Sequence, residues 1–175
     1  MVRQLEHKEY DNKYKKHNIT VVLDNLSYLK NIGSVFRLSD AFCVSKVIIL
    51  DDKNLLEASK AKTNYKKIDK TARNCMNYVD YKIMTTDDFL KLANKDNLNL
   101  TALEITNKSK AINAINFKSE QNLTLIIGNE RSGVSNKLLN ICKTSVHINM
   151  YGVNSSLNVA TALSIALYKI TNDLN

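Results

Sequence analysis

The chain has 175 residues, a net charge of +8, 44% hydrophobic residues and a pI near 9.3, which suit one globular domain with a full core. No run approaches the roughly 18 apolar residues of a membrane span, and the first eight residues lack the apolar segment of a secretory signal, so no membrane span or secretory signal is expected and cytoplasm is the default. The three cysteines (Cys43, Cys75, Cys142) and three histidines (His7, His17, His147) form no disulfide framework and no metal-ligand spacing, so no metal is expected.

Residues 1–18 are polar and predict an N-terminal arm or short surface helix, ahead of a single domain at 19–175. Residues 19–24 (Ile-Thr-Val-Val-Leu-Asp) predict a buried strand. Ile32, Val35, Phe36, Leu38 and Phe42 then recur at helical spacing over 31–42, and 46–50 predict a second strand. Residues 52–74 are basic with little apolar periodicity, predicting a long connection with a helical turn or two; so long a loop is usually functional. A third strand follows at 78–84, and Thr85 caps a helix that opens on Asp87 and Asp88. Strands at 100–105 and 123–127, a short helix at 135–142 and a strand at 145–150 come next. The last helix, 156–172, aligns Ala160, Leu163, Leu167, Ile170 and Leu174 on one face. Continuous apolar strands alternating with helices predict an α/β fold, a mainly parallel six-stranded sheet with helices on both faces.

There are four glycines and no proline. Gly33 falls in 31–37, Gly128 and Gly133 in 128–133, and Gly152 in 150–158, each beside Asn, Ser, Arg or Glu. Scarce glycine placed this way predicts loops built around a ligand. On a parallel sheet such loops belong at the carboxyl ends of the strands. The 128–133 stretch has the wrong spacing for a dinucleotide fingerprint or a P-loop, and Glu130 would repel phosphate. His147 lies in an apolar strand and reads as a satisfied core residue. What remains is an amide- and hydroxyl-rich set: Asn31, Arg37, Asn129, Glu130, Ser156 and Asn158. Such groups orient and stabilise charge rather than form covalent intermediates. Asn31 also reads as a helix N-cap, with Arg37 on the same general side of the helix. The basic cluster Lys60, Lys62, Lys66, Lys67, Lys70 and Arg73 fits phosphate neutralisation, against a compositional bias toward Lys and Asn.

Taken together, Asn-x-Gly-x-x-x-Arg (31–37), Ile-Gly-Asn-Glu-x-x-Gly (127–133) and Ile-x-Met-x-Gly-x-x-x-Ser-Leu-Asn-Val-Ala (148–160) resemble the three signature motifs of the SpoU (TrmH-like) RNA 2′-O-ribose methyltransferases of the SPOUT superfamily. The resemblance implies a deep C-terminal trefoil knot, an exception to unknotted topology, and a homodimer with its site at the subunit interface. It implies transfer of a methyl group from S-adenosylmethionine to a ribose 2′-hydroxyl of tRNA or rRNA, leaving S-adenosylhomocysteine, with no DNA, metal or membrane involved. Catalytic roles fall to Arg37, Asn31, Glu130, Ser156 and Asn158. The cofactor falls to Leu103, Glu104, Ile127, Gly128, Asn129, Gly133, Ile148, Met150, Ser156, Leu157 and Ala160. Without a fused RNA-binding domain or a basic C-terminal extension, tRNA is slightly favoured. The alternative is a non-catalytic RNA-binding module that keeps the fold. Two positions depart from the pattern: Asn149 stands where the family has proline, and Cys43 where it has glycine.

Overall fold

The computed structural model describes residues 2–6, 9, 14–56, 58–120 and 122–174, the side chains of 58–61 excepted. Its strands are β1 (His17–Asp24), β2 (Val44–Leu50), β3 (Tyr81–Met84), β4 (Asn99–Leu103), β5 (Lys110–Ala111), β6 (Leu123–Ile127) and β7 (Thr144–His147). They form one sheet in the order β3-β2-β1-β6-β4-β7-β5, parallel at every pairing. Side chains alternate between its faces with the period of two that a strand imposes. On β1, Ile19, Val21 and Leu23 enter one core, with Ile32, Val35 and Phe36 of α1 (Leu29–Ala41), Ile68 and Ala72 of α2 (Ala58–Ala72) and Leu163, Leu167 and Ile170 of α5 (Val159–Leu174). Val22 enters the other, with Phe89 and Ala93 of α3 (Thr86–Lys95) and Leu138 of α4 (Asn136–Leu139). Helices therefore cover both faces, as expected from the unbroken apolar strands.

Among the described residues the sheet has seven strands where the sequence predicts six. The extra one, β5, is two residues long and pairs with β7 at the edge of the sheet. Residues 52–74 are not mainly a connection, because α2 occupies 58–72. Its buried stripe is narrow, Tyr65 half-buried with Ile68 and Ala72 fully covered, while Lys62, Lys66, Lys67 and Lys70 are exposed. A helix this polar is held by tertiary packing more than by its own periodicity. Gly33 serves that packing: a Cβ there would overlap the Ile68 carbonyl and the Thr71 side chain, so Gly33 is where α1 and α2 approach, not part of a ligand loop.

Thr85 does cap α3, its hydroxyl accepting from the Asp88 amide at 3.1 Å. Asn31 is not an N-cap, however; Tyr28 holds that position and Asn31 lies in the first turn. Turns are made largely without glycine. Of the seven non-glycine residues at positive φ among those described, five are asparagines, the side chain that best tolerates this conformation. Cys43 is an exception, at φ 46° just past the end of α1. Its amide donates to the Asp40 carbonyl at 3.0 Å and its carbonyl accepts from His17 at 2.9 Å. Such a residue carries about 1–3 kcal/mol of strain, which accounts for glycine in the family pattern.

Candidate functional site

Because the strands are parallel, their carboxyl ends share one edge. There β4, β6 and β7 run into the segments 104–106, 128–134 and 148–158, and the start of α1 closes the fourth side. Together they enclose a cavity of about 830 Å³. Of the residues expected at the site, Asn31, Leu103, Glu104, Ile127, Gly128, Asn129, Glu130, Gly133, Ile148, Met150, Ser156, Leu157 and Asn158 line it. A second concavity of about 650 Å³ lies between the ends of β2 and β3 and helix α3; it contains none of these residues.

One chain of hydrogen bonds joins all three motifs. Asn158 caps α5, its Oδ1 accepting from the Ala160 amide at 2.9 Å. That commits its Nδ2 to donate, and it does so to Asn31 Oδ1 at 3.2 Å. Asn31 Nδ2 in turn donates to Glu130 Oε1 at 2.8 Å. The same carboxylate accepts from the amides of Ser27 at 2.9 Å and Tyr28 at 3.1 Å, placing negative charge at the N-terminus of α1. Partial burial pushes the Glu130 carboxyl up, but the hydrogen bonds from Ser27, Asn31 and Tyr28 outweigh it and hold it below its ordinary value. Each amide therefore has one orientation that satisfies its neighbours.

The 128–134 segment is a closed ring. Asn129 and Gly133 exchange backbone hydrogen bonds of 3.0 and 2.9 Å. Gly133 takes φ 67°, and a Cβ on Gly128 would overlap the backbone of Gly133 and Val134. The Asn129 side chain fastens the ring to the β1–α1 connection, donating to the Asn25 carbonyl at 2.6 Å and Ser27 Oγ at 3.0 Å. Glu104 fastens it to β4, accepting from the amides of Val134 and Ile105, each at 2.9 Å. These two side chains are thus engaged in building the wall. Gly152 is exposed, and a Cβ there would meet nothing within 4 Å.

Arg37 and Ala160 do not line the cavity of their own chain. Six residues advance a helix by about 600°, leaving about 120° between Asn31 and Arg37; the shared side expected for them is not found. Arg37 is exposed on α1, close enough to Cys75 to act electrostatically on its thiol. Lys62, Lys66, Lys67, Lys70 and Arg73 are all exposed, on or just after α2 and away from the cavity lining; the Lys60 side chain lies outside the described residues.

Sequence reasoning missed Tyr28, Thr106, Arg131 and His147, all of which line the cavity. His147 is half-buried rather than a core residue, since β7 stops at His147 instead of 150. Its Nδ1 lies 2.9 Å from Ser109 Oγ. The hydroxyl-rich run Thr106 to Ser109 was the available signal for its partner.

Known proteins bear on this geometry. The SpoU rRNA Methylase family matches residues 18–168. The tRNA (guanosine(18)-2′-O)-methyltransferase of Saccharomyces cerevisiae is 25% identical over 170 residues, which cover 97% of this chain and 11% of that protein's length. Among solved structures, the A. aeolicus TrmH/SpoU tRNA modifying enzyme superposes with a TM-score of 0.75 at 23% identity, covering 91% of this chain and 76% of that one. The SpoU methyltransferase AviRb from Streptomyces viridochromogenes, in complex with AdoMet, gives 0.72 at 21% identity, covering 91% and 58%. The structural likeness supports the fold; the sequence match extends over nearly all of the sheet, the relay and the cavity wall, and this chain belongs to the SpoU rRNA methylase family.

Proposed function

We propose that this chain transfers a methyl group from S-adenosylmethionine to a ribose 2′-hydroxyl of an RNA, tRNA or rRNA. The observation that carries this reading is the Glu130–Asn31–Asn158 relay on the wall of the 830 Å³ cavity. The family match, the yeast relative's name and the AdoMet-bound neighbour support it.

The residues present fit the donor. The cavity lies in the size range of small-molecule sites. Leu103, Ile148, Met150 and Leu157 supply apolar wall, and the carboxylates of Glu104 and Glu130 suit a cationic ligand. When bound, S-adenosylmethionine supplies an electrophilic methyl group. The chain's own part is positional: Asn31 and Asn158 are fixed in one orientation, and Ser156 stands beside them on the wall. A guanidinium is a poor base because it stays charged in proteins; the role proposed for Arg37 is to stabilise the developing alkoxide while a substrate phosphate accepts the hydroxyl proton. Because Arg37 lies outside its own chain's cavity, the reading requires a homodimer in which the partner's Arg37 completes the site. The exposed lysines of α2 provide an RNA-facing surface, and the 2′-hydroxyl restricts the substrate to RNA. The knot belongs to the same proposal, since β7 lies between β4 and β5 and the chain must re-enter the sheet after β6.

Titration calorimetry with S-adenosylmethionine and mass-spectrometric mapping of ribose methylation on total RNA test the reading. Binding together with new 2′-O-methyl sites is expected. Binding without methylation leaves the non-catalytic module, and no binding overturns the proposal.

A further inference from the structure

Two side chains at the rim of the cavity have no part in the relay. Tyr28 is 49% exposed although it lines the cavity. Its hydroxyl accepts from Arg131 Nη2 at 3.4 Å, across 103 residues of sequence. Both backbones are pinned: the Tyr28 amide donates to Glu130 at 3.1 Å and the Arg131 amide to Asn129 Oδ1 at 2.9 Å. A half-exposed aromatic side chain, with a cation at its hydroxyl and hydrogen-bonded backbone beneath both, matches the chemistry of a single-stranded nucleotide: base on ring, phosphate on guanidinium.

Resting on the proposed reaction, we infer that Tyr28 and Arg131 form a nucleotide clamp, in which an unstacked nucleobase lies on the Tyr28 ring while Arg131 meets an adjacent phosphate. The clamp sets an RNA nucleotide at the mouth of the cavity, and it reads base stacking rather than base identity, since every base has a π-face. No covalent step is involved.

The test uses the full chain, with a short fluorescent mixed-sequence single-stranded oligoribonucleotide as probe, titrated at several salt concentrations. Tyr28→Ala should weaken binding about tenfold with the salt slope unchanged, and Tyr28→Phe should bind like wild type. Arg131→Ala should flatten the slope of log K against log salt by about 0.7, the value of one phosphate contact on a single strand. Far-UV circular dichroism and thermal denaturation matching wild type establish that all three variants fold. Equal RNA affinity of Tyr28→Ala and wild type overturns the clamp, as does a wild type that does not bind the probe. Loss of S-adenosylmethionine binding in wild type instead sinks the underlying reaction.

Discussion

Asn31 has a single amide and spends both ends of it. Its oxygen takes the Asn158 proton and its nitrogen serves the Glu130 carboxylate, so the relay depends on Glu130 being ionised. The folded carboxyl is held below its ordinary value, which fixes the sign of the pH dependence. The stability it contributes is complete above the unfolded value, about pH 4.3, and is lost as pH falls through the lower folded value. Denaturation monitored across that window should find Glu130→Gln less stable than wild type at neutral pH and less sensitive to acid; parallel acid profiles would show that this carboxylate does not couple to folding. Glu130, Asn31 and Asn158 could be picked from the sequence because they are polar residues beside scarce glycines. The direction of each bond could not, because it follows from which backbone amides the α5 cap consumes.

The strands were readable because β-branched and leucine runs such as Leu123–Ile127 have few other places to go. Helix α2 was obscured by its lysines, since Tyr65, Ile68 and Ala72 mark too thin a stripe. β5 was obscured by its length. Arg37 is not on the side of α1 that Asn31 presents, because helical pitch separates residues six apart by about 120°. Gly33, grouped with the ligand loops, proves to be a helix contact. Gly33→Ala should therefore destabilise the fold by roughly 1–3 kcal/mol, the range for overpacking, while the calorimetric affinity for S-adenosylmethionine in the surviving folded fraction stays at the wild-type value. Unchanged stability would mean that α1 and α2 are not in the close contact described.

For the molecule as a whole, the decisive question is whether one chain holds a complete site. On the proposed reading it does not, because Asn158 lines the cavity and Arg37 of the same chain does not. Arg37→Ala and Asn158→Ala should each abolish methylation, yet an equal mixture of the two after subunit exchange should recover roughly a quarter of wild-type activity. Half of the dimers are then mixed, and each carries one intact site. A mixture that stays at background shows a site confined to one chain. The borders of the sheet bear on how two copies could meet. β3 has four residues and β5 only two, and each carries an exposed lysine, Lys82 and Lys110. Short charged margins resist backbone zippering between neighbours. Copies of this protein are therefore not expected to extend the sheet from one chain into the next, and edge-to-edge fibre growth is disfavoured.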